Sequence, residues 1–136
     1  MKRIFSVVFL LIVVMLAVVP VMAAEGESVV SPRYSYIGRI YSDLSIGTLG
    51  FSACHADCHA EAGDYVVLVA KLQQRDGSNW VTLKTWTATD DNAASISKNY
   101  TVAKGYTYRL SASCSVYSAS GVLLESGICN SHQVVY

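Results

Sequence analysis

Apolar and polar residues alternate in short runs along most of the chain, and clusters of Gly, Asp, Asn and Ser separate these runs. Successive side chains of a β-strand point to opposite faces, so this alternation predicts strands with one buried and one exposed face. Seven strands are predicted, over residues 34–41, 44–56, 65–73, 80–87, 96–102, 106–116 and 122–135. Short strands at this spacing are typical of a sandwich or a barrel, and we expect an antiparallel β-sandwich. We therefore expect a single all-β domain over residues 34–136.

The alternation is clearest in GYTYRLSASCSVY, residues 105–117. The side chains predicted to point inward are Tyr106, Tyr108, Leu110, Ala112, Cys114 and Val116. Arg109 falls on the opposite face, among Thr and Ser residues, and is predicted to be exposed. Earlier in the chain, an Asp-Gly pair at residues 76–77 separates two apolar runs. It predicts a hairpin, because Gly accepts the positive φ of a tight turn.

The first 23 residues have the pattern of a secretory signal peptide. Lys2 and Arg3 form a basic start, residues 4–19 are almost all apolar, and cleavage is expected after Ala23. The alternative is an uncleaved membrane anchor, because the apolar run approaches the ~17 to 25 residues that span a bilayer. Residues 24–33 are expected to form a flexible lead, and the mature protein is expected to be secreted.

The charge of the chain argues against a nucleic-acid partner. Lys2 and Arg3 would leave with the signal peptide, so eight basic residues remain against ten acidic ones, a net charge of −2. No run of cations along the sequence indicates a basic patch or a membrane-binding segment. We expect no nucleic-acid partner, no membrane contact after signal cleavage and no cofactor.

Four cysteines in a short exported chain predict disulfide bonds, because free thiols rarely persist in pairs in an oxidising compartment. All four are expected to be bridged: Cys54, Cys58, Cys114 and Cys129. On one continuous strand Cys54 and Cys58 lie about 13 Å apart, beyond the ~7 Å Cα limit for a bridge. The favoured arrangement therefore joins them to Cys114 and Cys129. In the alternative, residues 54–62 are helical, and the bonds are Cys54–Cys58 and Cys114–Cys129.

The same segment, FSACHADCHAEAG at residues 51–63, raises the alternative of a metal or haem site. The residues that would ligate zinc are Cys54, Cys58, His59 and His132. A strand directs the two cysteines to one face and the adjacent histidines to the other, so only a helical segment would bring them together. Haem attachment uses C-x-x-C-H, whereas three residues separate Cys54 from Cys58. Structural cysteines and surface histidines are therefore the preferred interpretation.

No motif indicates catalysis, because no G-x-S-x-G or comparable nucleophile turn is present, and no catalytic residue is expected. The possible binding face is aromatic. Trp80, Lys84 and Trp86 have the same parity on one predicted strand, and Arg109 lies on the exposed face of another. If the tryptophan parity faces solvent, the indoles beside Lys84 form a patch for a protein or a glycan. If it faces inward, they are core residues, which is the favoured alternative.

Two segments, LQQRDGSNWVTLKTW (residues 72–86) and YTVAKGYTYRL (residues 100–110), contain an LQ pair, a tryptophan and a G-x-x-YR sequence; LLES and SHQVVY close the chain. In these features the chain resembles a family of small secreted bacterial proteins of unknown function. A Gly followed by a Tyr-led strand near the C-terminus is more distantly similar to immunoglobulin-like and fibronectin-type sandwiches. The resemblance implies a secreted β-sandwich with immunoglobulin-like topology and brings no activity with it.

These features favour a secreted, non-catalytic binding protein whose partner is an extracellular protein or a glycan, because rigid strands present loops and faces to partners. The alternative is a secreted toxin or bacteriocin-like effector, which the length, the signal pattern and the cysteines suit equally. A metal or haem carrier that uses CHADCH is a further hypothesis.

Overall fold

The computed structural model describes Tyr34 to Tyr136; the signal peptide and lead predicted for residues 1–33 lie outside the described residues. The described chain folds into strands β1 (Ile37–Ile46), β2 (Phe51–Ala60), β3 (Tyr65–Asp76), β4 (Asn79–Asp90), β5 (Ala93–Thr101), β6 (Thr107–Tyr117), β7 (Leu123–Asn130) and β8 (Val134–Val135). It contains no helix, and hence none that could cross a membrane.

The strands form two antiparallel sheets that pack face to face. The three-stranded sheet has the order β1-β2-β5. The five-stranded sheet has the order β4-β3-β6-β7, and the short β8 also pairs with β6. The predicted all-β sandwich is confirmed, with eight strands where the sequence predicts seven.

The core lies between the sheets, and every second residue of the strands that line it points inward. Alternate residues of β2, β3 and β6 are buried, and these include Cys54, Ala56 and Cys58; Val66, Leu68, Ala70 and Leu72; and Leu110, Ala112, Cys114 and Val116. Burying such a continuous apolar layer contributes most of the favourable free energy of folding. The inward orientation predicted for Cys114 is confirmed, whereas Tyr106 lies before β6 and is 45% exposed.

The predicted strand over residues 44–56 is wrong, because the turn between β1 and β2 falls inside it at residues 47–50. At two further boundaries, serine side chains bond to the backbone of β6. The sequence predicts a break at residues 42–43, but Ser42 points inward, its Oγ donates to the Leu110 carbonyl oxygen (2.8 Å), and β1 continues to Ile46. The last predicted strand instead divides at Ser131. There the Leu110 N–H donates to the Ser131 Oγ (2.9 Å), so a side chain interrupts the ladder between β7 and β8. The helical alternative for residues 54–62 is also wrong, because β2 extends to Ala60.

The start of β1 is attached to β7 through one carboxylate. Glu125 accepts hydrogen bonds from the backbone N–H groups of Ser35 (2.9 Å), Tyr36 (2.8 Å) and Ile37 (2.7 Å). Desolvation raises the pKa of Glu125, but the three N–H donors together outweigh it and hold the pKa below its ordinary value. The ionised side chain therefore ties the two sheets together at this end of the sandwich.

The start of β6 is fixed by a tyrosine. Tyr108 is fully buried, and its hydroxyl donates back to the carbonyl oxygen of Ala103, five residues earlier. Between them Gly105 adopts φ = 98°, a left-handed conformation that favours glycine. Residues 103–108 therefore form a closed corner immediately before Arg109.

Candidate binding face

The two tryptophans lie on opposite faces of β4, so the prediction that they share a face is wrong. Trp86 pairs with the buried Ala70 and packs edge-on against Tyr100 at a ring-centroid distance of 6.5 Å. Trp80 pairs with the exposed Arg75, on the outer side of the sheet. Between them the register with β3 shifts, and Leu83 is the extra residue. A β-bulge of this kind reverses the alternation of side chains beyond it.

The bulge also separates Lys84 from Trp80. Lys84 pairs with the buried Leu72, so it lies on the same, inner side of β4 as Trp86. It is exposed there, at the edge strand of the sheet. Of the four residues predicted to form a binding face, only Trp80 and Arg109 lie together on the outer side. Trp86 is half-buried against the core, which agrees with the favoured alternative for that residue alone.

Trp80 and Arg109 are in direct contact on the outer face of the five-stranded sheet. The guanidinium carbon of Arg109 lies 4.2 Å from the centre of the Trp80 ring, within the range of a cation–π interaction. The Arg109 Nε–H donates to Gln73 Oε1 (2.9 Å), and Gln73 Nε2 donates in turn to Thr82 Oγ1 (3.3 Å). We call these four residues, from three adjacent strands, the Trp80–Arg109 cluster.

The cluster holds the Arg109 side chain in place while leaving most of its donors free. A guanidinium carries five N–H groups, and Arg109 uses only the one on Nε. Its two terminal nitrogens make no hydrogen bond to any residue of the described chain. Arg109 therefore presents a preorganised fork of donors of the kind that binds carboxylate or phosphate in a bidentate manner.

The cluster belongs to a larger surface, which we call the five-stranded face. It consists of the odd-numbered residues of β3 and β6 and of the β4 and β7 residues that pair with them. Short hydroxyl side chains line it on either side of β3: Thr82, Thr85, Thr87 and Thr89 of the edge strand β4, and Ser111, Ser113 and Ser115 of β6. Val67 and Val69 of β3 lie between these two rows. At the end opposite the cluster, Tyr65 and Tyr117 stack at 5.1 Å and an interplanar angle of 12°.

The five-stranded face carries three cations, Lys71, Arg75 and Arg109, although the sequence shows no run of basic residues. None of the β3, β4, β6 or β7 residues that point outward on it is acidic. The acidic residues of these strands occupy positions that point toward the other sheet: Asp76, Asp90 and Glu125. None of the three cations forms an ion pair with a described residue. The fold thus assembles, from β3 and β6, a basic patch that the sequence analysis did not find.

The outer face of the three-stranded sheet has a different electrostatic character. Asp57 accepts from Arg39 (2.6 Å) and lies 3.4 Å from His55 Nε2, while His132 lies 3.7 Å from Asp43. Beside the Arg39–Asp57 pair is an open groove of about 720 Å³, whose lining includes Arg39, Asp57, His59, Glu61 and Asp90. One arginine here stands against three carboxylates, so the groove is acidic when histidine is neutral. This surface therefore attracts an anionic ligand less than the five-stranded face does.

One disulfide links the two sheets, where four bridged cysteines are predicted. Cys58 of β2 is bonded to Cys114 of β6, with a Cα–Cα distance of 6.1 Å. This is one bond of the favoured cross-linked arrangement. The expectation that Cys54 and Cys129 are also bridged is wrong, because both are free. No residue of β2 comes within 8 Å of β7 between Cα atoms, so these two cysteines lie beyond bridging distance.

The CHADCH segment does not assemble the metal or haem ligands considered for it. Cys54 and Cys58 point into the core, whereas His55 and His59 are exposed on the opposite face of β2. Cys58 is already bonded to Cys114, and His132 pairs with Asp43. In the described part of the chain, no group of three or more His, Cys, Asp or Glu side chains has the arrangement of a metal site. Burial raises the pKa of the Cys54 thiol, partly offset by the Ser52 hydroxyl, and makes it a poor nucleophile.

No protein-family model matches the chain, and no curated protein matches it. The resemblance to small secreted bacterial proteins therefore stays a prediction. The residues that suggested it nonetheless meet in the fold, because Gln73 of the LQ pair, Trp80 and Arg109 of the G-x-x-YR sequence form the Trp80–Arg109 cluster. The pattern that links these segments in sequence corresponds to one constellation on the surface.

Sequence reasoning missed the bulge and the basic patch. The bulge had no signal in the sequence, because the even spacing of Trp80 and Trp86 predicts a shared face in a regular strand. The patch had none, because Lys71, Arg75 and Arg109 come together only through the pairing of β3 with β6. The stacked Tyr65–Tyr117 pair depends on the same pairing.

Proposed function

We propose that this chain is an exported, non-catalytic binding protein that holds its ligand on the five-stranded face, with the Trp80–Arg109 cluster as the anchor. The observation that carries the proposal is the state of Arg109. Its guanidinium is fixed by an aromatic ring and a hydrogen bond, yet four of its N–H donors face no partner in the described chain. A side chain held in this way suits recognition of a group outside the protein.

The Arg109 side chain is already ordered before a ligand binds. A free arginine side chain loses roughly 2 kcal/mol of conformational entropy when it is fully immobilised. Here Trp80 and Gln73 already restrict it, so a ligand meets a donor fork that needs little further ordering. Trp80 is itself half-buried and offers the open part of a rigid ring at low entropic cost.

Export and immunoglobulin-like topology belong to the same proposal. The signal pattern of residues 1–23 and a bond between Cys58 and Cys114 support an oxidising destination. The strand orders β1-β2-β5 and β4-β3-β6-β7, the bond from β2 to β6 and the Tyr108 corner support kinship in fold with immunoglobulin-like and fibronectin-type sandwiches. Such domains are rigid carriers for recognition surfaces. No feature of the described chain favours the toxin alternative.

The test is a comparison of matched surface variants of the exported protein. The wild type, Trp80→Ala, Arg109→Gln and Arg39→Gln are screened against immobilised polysaccharides, peptides and cell-envelope fractions. Arg39 is an exposed cation on the other sheet, so its replacement changes the net charge by the same amount as Arg109→Gln. We expect at least one immobilised substance to bind the wild type and Arg39→Gln, with at least tenfold weaker binding to the two cluster variants. Binding that survives in both cluster variants would overturn the proposal, as would binding to none of the panel.

A further inference from the structure

We infer that the ligand of the five-stranded face is an anionic polysaccharide, a sugar chain that carries carboxylate or phosphate groups. This inference rests on the proposed function, because it specifies the chemistry of a ligand bound at the same face. Three features support it: the cations of the face that form no ion pair with a described residue, the spacing between these cations, and the hydroxyl and aromatic side chains around them.

The positions of the cations indicate a polymer with repeated charges. Lys71 and Arg75 are four residues apart on β3, about 13 Å at ~3.3 Å per residue. Arg109 stands between them in the adjacent strand, opposite Gln73. Charges spread along a strand in this way match separate acidic groups better than they match one small anion. An extended chain with an acidic group on successive units can contact all three.

The remaining side chains of the face suit sugars. The threonines of β4 and the serines of β6 provide short hydroxyls that donate to and accept from the hydroxyls of a sugar ring. Trp80 at one end and the stacked Tyr65–Tyr117 pair at the other provide ring faces for the apolar C–H faces of sugars. From Gln73, beside the cluster, to Tyr65 is eight residues of β3, about 26 Å, so the face accommodates several sugar units in a row.

An extended acidic peptide is the competing occupant, and the geometry favours it less. Peptides that bind sheets commonly add a strand at an edge, where backbone groups are unpaired. The cations here lie on the central strands β3 and β6, whose backbones are already paired on both sides. What a ligand meets at this face is side chains alone: hydroxyls and cations of β3, β4 and β6, with Val67 and Val69 between them.

The experiment measures binding of four polymers at the exported protein: polygalacturonate, its fully methyl-esterified neutral form, a phosphomannan and polyglutamate. The chain has two tryptophans, so Trp86→Phe leaves Trp80 as the single fluorescent indole at the face. Because Trp86 packs near the core, calorimetric titration of the wild type provides a second readout that does not depend on this variant. Each titration is repeated with Lys71→Gln, Arg109→Gln and the control Arg39→Gln.

We expect polygalacturonate or phosphomannan to change Trp80 fluorescence and to bind at least tenfold more tightly than the methyl ester. Lys71→Gln and Arg109→Gln should weaken that binding, and Arg39→Gln should not. Added salt should also weaken it, because Lys71 and Arg75 are exposed. Which of the two acidic polymers binds identifies carboxylate or phosphate as the charged group.

Equal binding of the ester, with loss of binding in Trp80→Ala, would overturn the anionic inference and leave the proposed function standing. Preference for polyglutamate over both acidic sugar chains would do the same in favour of a peptide. Binding to none of the four polymers would overturn the inference. The panel of the previous subsection then shows whether the proposed function falls with it.

Discussion

Loss of the Cys58–Cys114 bond should cost the fold a large part of its stability. The bond closes a segment with a sequence separation of 56 residues. In the chain-entropy treatment, a cross-link over that length stabilises the native state by about 4 kcal/mol at 25 °C, because it restricts the unfolded chain. A domain has roughly 5 to 15 kcal/mol in total. Replacing both cysteines by alanine should therefore lower the free energy of unfolding by about 4 kcal/mol.

The assay is equilibrium unfolding in urea, followed by tryptophan fluorescence, with the slope and the midpoint fitted separately. Cys54→Ala is the matched control, because Cys54 lies on the same strand and is equally buried but is not bridged. Cys54→Ala should lower the free energy of unfolding by on the order of 1 kcal/mol, as expected for the loss of one small buried group. Intact mass with thiol alkylation should show one bridge and two free thiols. A loss below about 2 kcal/mol in the double variant, or an equal loss in Cys54→Ala, would refute the reasoning.

Three further predictions concern positions that fix the ends of strands. Glu125→Gln should lower the free energy of unfolding near pH 7. Because the folded-state pKa of Glu125 is below its ordinary value, the difference from wild type should be full above the unfolded pKa and vanish as pH falls through the folded one; urea unfolding from pH 7 to pH 3 measures this. Tyr108→Phe should cost about 1 kcal/mol by loss of the bond to Ala103, whereas the control Tyr106→Phe, at an exposed ring, should cost almost nothing in thermal unfolding. Gly50→Ala and Gly77→Ala both place alanine at positive φ, and this backbone strain should lower the free energy of unfolding by about 1 to 2 kcal/mol at each site. Only at Gly50 would the new methyl also collide with the Val102 carbonyl oxygen, so equal losses at the two sites would contradict the packing described for this turn.

The sequence predicts the sandwich well because most of its strands follow simple alternation. In β6 each inward position from Tyr108 to Val116 is apolar and each outward position is polar up to the final Tyr117, so period and burial coincide. Leu72 and the Asp-Gly pair after it likewise place the β3–β4 hairpin correctly. Local rules of side-chain direction and turn chemistry were sufficient for these elements.

The sequence could not predict features that depend on which strands become neighbours. The single bridge from Cys58 follows from the packing of β2 against β6, and Cys129 stays free because β7 lies against β1. Simple alternation predicts both tryptophans on one face of the strand. The bulge at Leu83 inserts one extra residue between them, so they point to opposite faces. The site itself combines β3, β4 and β6, so its residues are adjacent only after folding.

A map of the bound ligand on the protein tests most directly whether the ligand lies on the five-stranded face. The isotope-labelled protein is titrated with oligogalacturonate, and shifts of backbone amides and of the indole N–H groups are recorded. We expect the largest changes on the Trp80 indole and on the outward residues of β3 and β6 around Lys71 and Arg109. Changes centred on His55 and Asp57 of the three-stranded sheet, with Trp80 unaffected, would contradict binding at the five-stranded face.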